Sequence, residues 1–213
     1  MLNENSNKTR KIVLPYCYKD ENTESEVKLT GKGCNFPYKL YTYLQGLSYM
    51  DEECVGFRKI YTYSYECKIL GINKTCREIK MGDKTVSNGI KYLKEYNFLS
   101  SEFYLDEEGE YIKLYDLDKS IYRCITLAFE DKALNEILIK LKDKPIQLLI
   151  YYKFNSWIHG VCVHNNNIIA KNMGISSDVL ISYNRILEEL GLLKIMKCLK
   201  PNNRYGNVYK CLI

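Results

Sequence analysis

Short polar side chains and one guanidinium group share a face of the amphipathic helix predicted between residues 176 and 190. Hydroxyl and amide groups hydrogen-bond to base edges, and a guanidinium pairs with guanine or with a phosphate. Ile181 adds an apolar contact suited to a thymine methyl group. The pattern therefore predicts a DNA contact on this helix, formed by Ser176, Ser177, Ser182, Asn184 and Arg185, with Asp178 on the same outward face.

A second face of the same kind precedes it in the sequence. Residues 75–99 align with residues 169–193 at a constant offset of 94, so that Lys91 falls on Arg185. Each segment predicts a helix, a tight turn and a helix, an arrangement that lets the second helix enter a DNA major groove. A plain solvated face is the default for any amphipathic helix and stays open for both segments. The earlier face comprises Lys84, Thr85, Ser87, Asn88 and Lys91.

The hairpins predicted after the two segments differ in charge. Strands at 101–105 and 110–117 flank an acidic turn with a glycine, and strands at 192–199 and 207–213 flank a basic, turn-forming run. Acidic groups repel phosphates, so we expect the second segment to be the stronger DNA contact. The first then holds DNA through its helix alone or forms a protein interface. The acidic residues are Glu102, Asp106, Glu107, Glu108, Glu110 and Asp116, and the basic ones are Lys194, Lys197, Lys200, Arg204 and Lys210.

Catalytic and metal-binding patterns are weak. His159, Cys162 and His164 have ligand chemistry, but on an extended segment His159 points away from the other two, and no second cluster completes a site. We interpret them as ordinary structural residues and predict no metal. The run Gly31-Lys32-Gly33 lacks the lysine-serine ending of nucleotide-binding loops. We predict no catalytic residue and no cofactor, so an enzyme is not expected.

Length and composition indicate a globular protein of two modules. The chain has 213 residues, of which 46% are hydrophobic and 27% charged. It lacks any apolar run near the roughly 18 residues that a membrane span needs, and its start lacks a signal-peptide pattern. Nine cysteines without regular spacing indicate reduced thiols. We therefore expect a cytoplasmic protein with no membrane partner, and its net charge of +5 is compatible with a polyanion.

Apolar spacing and capping residues place the remaining elements. In the first module we expect a helix from Pro37 to about Leu47, a helix or a strand within 61–70, a helix over 74–79 capped by Asn73, and a helix over 83–96. In the second we expect a helix from Asp143 to about Trp157, a helix capped by Asn167, and a helix capped by Ser176 with Val179, Leu180, Tyr183, Ile186, Leu187 and Leu190 inward. A linker helix over 130–142 joins the modules.

The order of three helices and a hairpin resembles the winged helix-turn-helix superfamily. The resemblance is carried by residues 81–86 with 92–99 and by residues 173–177 with 186–193. Asn97 stands where Gly191 stands in the second copy, and both residue types accept a left-handed backbone. Two such units in one short chain resemble plasmid and phage replication initiators. The resemblance implies binding of double-stranded DNA in replication initiation or its control.

These observations predict an α+β fold, mainly α with small β-hairpins, built from two tandem winged helix-turn-helix units. The predicted division is an N-terminal tail and irregular segment at 1–34, a first unit at 35–118, a linker helix at 119–142 and a second unit at 143–213. A transcriptional regulator and a protein-interaction adaptor are the alternative functions. A homodimer formed through the first unit and contacts with replication proteins also stay open.

Overall fold

The computed structural model describes residues 9–20, 23–47, 64–68, 72–106, 109–115, 117, 121–156, 160–199 and 205–213, and within them the fold is α+β. The helices are α1 (Tyr38–Leu47), α2 (Ile72–Ile79), α3 (Asp83–Glu95), α4 (Asp131–Lys140), α5 (Asp143–Phe154), α6 (Asn166–Met173) and α7 (Ser177–Glu189). The strands are β1 (Thr9–Lys19), β2 (Glu26–Lys28), β3 (Ser64–Lys68), β4 (Leu99–Asp106), β5 (Gly109–Tyr115), β6 (Tyr122–Glu130), β7 (Leu193–Leu199) and β8 (Tyr205–Cys211). None of the helices described is long and apolar enough to cross a membrane.

Two compact units make up the chain, and each is assembled from three segments. Unit 1 comprises Met1–Ile12, Phe36–Ser120 and Ala128–Lys140, and unit 2 comprises Val13–Asn35, Ile121–Leu127 and Leu141–Ile213. Residues 1–34, predicted as a tail and irregular segment, contain strands β1 and β2, and residues 119–142, predicted as a linker helix, contain strand β6 before α4. Both predictions are wrong over these strands, because β1 is paired between β2 and β6, and local periodicity does not reveal such distant pairing.

Unit 1 places its helices α1, α2 and α3 around an aromatic core. The ring of Phe36 meets that of Phe98 edge-on at a centroid distance of 4.9 Å, and Val86 and Leu93 of α3 are fully buried. Its sheet is antiparallel with the order β3-β5-β4. Residues 64–68 form a strand, so the helical alternative for this segment is wrong there. Asn73, predicted to precede a helix as its cap, lies inside α2.

Unit 2 repeats the order of unit 1. Its hairpin β7-β8 runs in register from Leu193 opposite Cys211 to Leu199 opposite Tyr205. Cys162, which precedes α6, pairs with Tyr209 of β8 through two backbone hydrogen bonds of 2.8 and 2.9 Å between N and O. In each unit, therefore, backbone pairing joins the segment before the second helix to the last strand of the hairpin.

The sequence repeat is reproduced in the backbone. Lys80 and Gly174, which are aligned in the repeat, have left-handed φ angles of +48° and +64° at the end of α2 and α6. Asn97 and Gly191 do the same after α3 and α7, with φ of +58° and +68°. This agreement confirms the expectation that Asn97 accepts the conformation that Gly191 adopts.

Side-chain caps are confirmed at one helix and corrected at another. The Ser176 hydroxyl accepts a hydrogen bond from the Val179 backbone N–H at 3.3 Å, as predicted for the start of α7. The start of α6 is capped by Asn165, whose side-chain oxygen accepts from the Ile168 N–H at 3.0 Å. Asn167 is inside the helix, so the predicted cap is two residues too late.

Candidate nucleic-acid interface

Helix α7 presents a mostly polar surface, while the centre of its apolar stripe is buried in the core. Leu180 and Leu187 are completely buried. On the opposite side Ile181 is 55% exposed, which leaves it accessible to an apolar contact. The polar residues exposed around it are Ser176, Ser177, Asp178, Ser182 and Arg185. The predicted contact surface is therefore accessible at these five positions.

Asn184 does not belong to this surface. Its side chain is only 4% exposed, and its Oδ1 accepts a hydrogen bond from the hydroxyl of Tyr152 in α5 at 2.7 Å. The prediction of a DNA contact at Asn184 is wrong because the residue is four positions after Leu180 and three before Leu187, which places it on the buried stripe. Val179, predicted inward, is instead 37% exposed.

The hydrogen bond of Asn184 fixes α7 against α5. Tyr152 is fully buried and stacks on Tyr209 of β8 at a centroid distance of 4.6 Å. Burial raises the pKa of Tyr152, so its hydroxyl keeps its proton and remains a donor. One buried tyrosine therefore contacts both the hairpin and the helix that carries the polar surface.

Helix α3 of unit 1 exposes all the residues predicted for its own surface. The buried side of the helix comprises Val86, Gly89 and Leu93. Gly89 permits close packing, since a Cβ there would lie 2.7 Å from Cδ2 of Leu40 in α1. The exposed residues are Lys84, Thr85, Ser87, Asn88 and Lys91.

The lysines of the unit 2 hairpin lie on two faces. Lys194 of β7 is directly opposite Lys210 of β8, and both are exposed. Lys197 is on the other face of the hairpin, the face that Tyr209 occupies in the core, because side chains alternate along a strand. Only Lys197 of these three therefore shares a face with the residues that pack toward the helices, whereas the sequence suggested one cationic surface. Lys200 and Arg204, also predicted as contacts, lie outside the described residues.

A carboxylate joins α7 to the hairpin. Oε1 of Glu188 accepts a hydrogen bond from the backbone N–H of Ile195 at 2.9 Å. This bond fixes the base of β7 beside the last turn of α7. This role is not apparent from the sequence, since an exposed glutamate in the last turn of a helix resembles any solvated residue.

The hairpin predicted for unit 1 is confirmed by its strand pairing, whereas its acidic surface stays a prediction. Strands β4 and β5 pair antiparallel from Leu99 to the turn after Asp106. The side chains of residues 100–106 and 109–115, among them Glu102, Asp106 and Glu110, are not among those described, and Glu107, Glu108 and Asp116 lie outside the described residues. The charge contrast between the two hairpins stays a prediction from the sequence.

His164 takes part in a polar network. Its Nδ1 is 2.6 Å from the hydroxyl of Tyr151 in α5, and that hydroxyl accepts a hydrogen bond from the side-chain amide of Asn172 in α6 at 2.9 Å. Burial raises the pKa of Tyr151 to about 12. Cys162 is fully buried, and His159 lies outside the described residues. Across the part of the chain that the structure describes, no group of three His, Cys, Asp or Glu side chains is placed to hold a metal ion.

No protein-family model matches this chain, and neither a curated protein nor a solved structure matches it.

Proposed function

We propose that this protein binds double-stranded DNA through unit 2, with α7 in the major groove and the β7-β8 hairpin as the wing of a winged helix-turn-helix. The supporting observation is the exposed polar surface of α7, which includes Ser177, Ser182 and Arg185, opposite the buried centre of its apolar stripe. A helix fixed in this way presents hydrogen-bonding groups at a rigid spacing, which direct reading of bases requires. Unit 1 has the same order of elements, and we propose that it too is a winged helix-turn-helix.

The hairpin supports the same proposal. The Glu188 bond places the base of β7 beside α7, and Lys197 projects from the face that packs toward the helices. A wing in this position meets the DNA backbone when the helix occupies the groove. Lysine contacts with phosphates make the affinity fall with salt, because bound counterions are released.

Binding titrations of full-length variants test this assignment. On a DNA duplex selected from random sequences, we expect Arg185→Ala to weaken binding by about 1–3 kcal/mol if its guanidinium pairs with a base. Lys91→Ala, the aligned change in unit 1, should weaken binding less. An equal or larger loss for Lys91→Ala would assign the main contact to unit 1.

The two faces of the hairpin supply a second, internal comparison. Lys197→Met should lower the slope of log affinity against log salt by about 0.9, the release expected for one phosphate contact. Lys210→Met removes the same charge from the other face and should leave the slope near its original value. Equal effects of the two substitutions would contradict the placement of the wing against DNA.

We propose replication initiation of a plasmid or phage, or its control, as the biological setting. The resemblance of two winged units in one chain to plasmid and phage replication initiators supports this setting. The sequence selected from random DNA tests it: an initiator selects a repeated site near its own gene, and a transcriptional regulator selects a promoter operator. A protein-interaction adaptor shows no salt-dependent DNA affinity at all.

A further inference from the structure

A glycine loop (residues 31–33) from the N-terminal part of unit 2 lies directly against the turn between α6 and α7. The backbone N–H of Lys32 donates a hydrogen bond to the carbonyl oxygen of Asn172 at 3.0 Å. Gly31 is buried with φ of +103°, and a Cβ there would lie 2.6 Å from the same oxygen. The two backbones approach so closely that only glycine fits at residue 31.

The turn side of this contact also requires glycine. Gly174 has φ of +64°, and a Cβ on it would lie 2.8 Å from Cβ of Lys32. The main chain of Lys32 is therefore enclosed by Asn172 on one side and Gly174 on the other, both in the helix-turn-helix segment.

Lys144 of α5 also stabilises this contact between the glycine loop and the turn. Its Nζ donates to the carbonyl oxygens of Gly31 at 2.7 Å and Met173 at 3.4 Å, and to Oε1 of Gln147 at 3.1 Å. Met173 ends α6, where carbonyl groups lack helical partners. One ammonium group thus joins the glycine loop, the end of α6 and α5.

The fixed loop displays a cation at its tip. The side chain of Lys32 is exposed, as is Gly33 next to it, while the backbone of Lys32 is anchored. Lys171, in the last turn of α6, is exposed as well. The turn that precedes α7 therefore lies beside two exposed lysines, Lys171 from α6 and Lys32 from a segment far away in the sequence.

We propose that Lys32 is a DNA-phosphate contact of unit 2, presented by the glycine loop at the helix-turn-helix turn. This inference rests on the proposed DNA binding of α7. A helix that enters the major groove has a phosphate backbone on each side, and the turn at its N-terminal end lies beside one of them. Because the loop is already ordered, binding immobilises only the Lys32 side chain.

The test is a salt titration of DNA binding by full-length Lys32→Met. Methionine keeps an unbranched stem against Gly174 and removes the charge. We expect the slope of log affinity against log salt to fall by about 0.9, and the affinity to fall roughly fivefold to tenfold near 0.1 M salt, equally for all duplex sequences. Lys19→Met is the control. Lys19 is an exposed lysine of β1 in the same N-terminal part of unit 2, and its backbone lies opposite Glu26 of β2 in the sheet, not against the turn.

The outcomes separate this inference from the function on which it rests. If Lys32→Met leaves the slope unchanged while Lys197→Met lowers it, the DNA-binding proposal stands and the Lys32 contact is overturned. If the unaltered protein has no salt-dependent affinity, both fail.

A second substitution tests whether the loop positions the lysine. Gly31→Ala meets the Asn172 carbonyl, whereas Gly33→Ala meets no atom within 4 Å, although both glycines have positive φ. We expect Gly31→Ala to lower the salt slope as Lys32→Met does, with no further change in the double variant, and Gly33→Ala to retain the original slope. Additive losses in the double variant would overturn the positioning role of Gly31.

Discussion

A buried hydrogen bond decides which residues of α7 are available to a partner. Asn184 is an amide by type but a core residue by position, and Tyr152 satisfies it inside unit 2. We expect Tyr152→Phe to lower the free energy of unfolding by about 1–3 kcal/mol, because Oδ1 of Asn184 then stays buried without its donor. Urea unfolding followed by circular dichroism measures the change.

The control for this substitution is on the same helix. Tyr183→Phe removes the same oxygen atom from a half-buried tyrosine and should change the stability less. The double variant Tyr152→Phe with Asn184→Leu should recover stability, since it removes both polar partners together. If the double variant loses as much unfolding free energy as Tyr152→Phe alone, the loss does not come from an unsatisfied amide at Asn184.

Residue type misled the sequence interpretation at Asn184 and guided it correctly at Ser176 and Asn97. The cap at Ser176 and the left-handed residue at Asn97 depend on their immediate backbone, which the sequence order shows in part, since the caps predicted at Asn73 and Asn167 were misplaced. The partner of a buried amide comes from another helix, and no local pattern reveals it. The same limit applies to Lys144, whose three acceptors come from its own helix, from α6 and from the glycine loop.

Among the elements, the helices could be predicted from the sequence, whereas the close contact between α1 and α3 could not. The period of apolar residues placed α3 and α7 to within a residue or two. Gly89, however, lies on the buried stripe of α3, and no pattern in the sequence indicates that α1 approaches the helix there. A Cβ on Gly89 would lie 2.7 Å from Cδ2 of Leu40 and 3.3 Å from Cβ of Pro37.

We expect Gly89→Ala to destabilise unit 1, although alanine favours a helix over glycine by about 1 kcal/mol. Leu40 is fully buried, so we expect overpacking by about 1–3 kcal/mol to exceed that gain. Asn88→Ala, at the exposed neighbouring position, is the control and should be neutral or slightly stabilising. Thermal unfolding measures both, and a more stable Gly89→Ala variant would show that α1 yields at this contact.

At the scale of the whole molecule, sequence order does not give the division into units. Three segments, 13–35, 121–127 and 141–213, make up unit 2. Strand β1 is hydrogen-bonded to β2, close in sequence, and to β6, far from it. Periodicity reports on one element at a time, so the repeat identified the helices and hairpins of each unit and left out the strands that complete unit 2.

We therefore expect the fragment 143–213 to be much less stable than unit 2 in the full chain. It contains α5, α6, α7 and the hairpin, but it lacks Tyr16, which stacks on Phe154 at a centroid distance of 3.7 Å, and the carbonyl of Gly31 that accepts from Lys144. Leu14 and Cys17, fully buried in the chain, are absent as well. Loss of these contacts exposes apolar surface of α5, at a cost of about 25 cal/mol for each Å².

Urea unfolding of the fragment 143–213 should begin at a lower urea concentration than that of the full chain. A fragment spanning 121–213, supplied with a peptide of residues 9–35, should regain part of the difference. Unfolding of the fragment 143–213 alone at the same urea concentration as the full chain would show that the N-terminal strands are dispensable to unit 2.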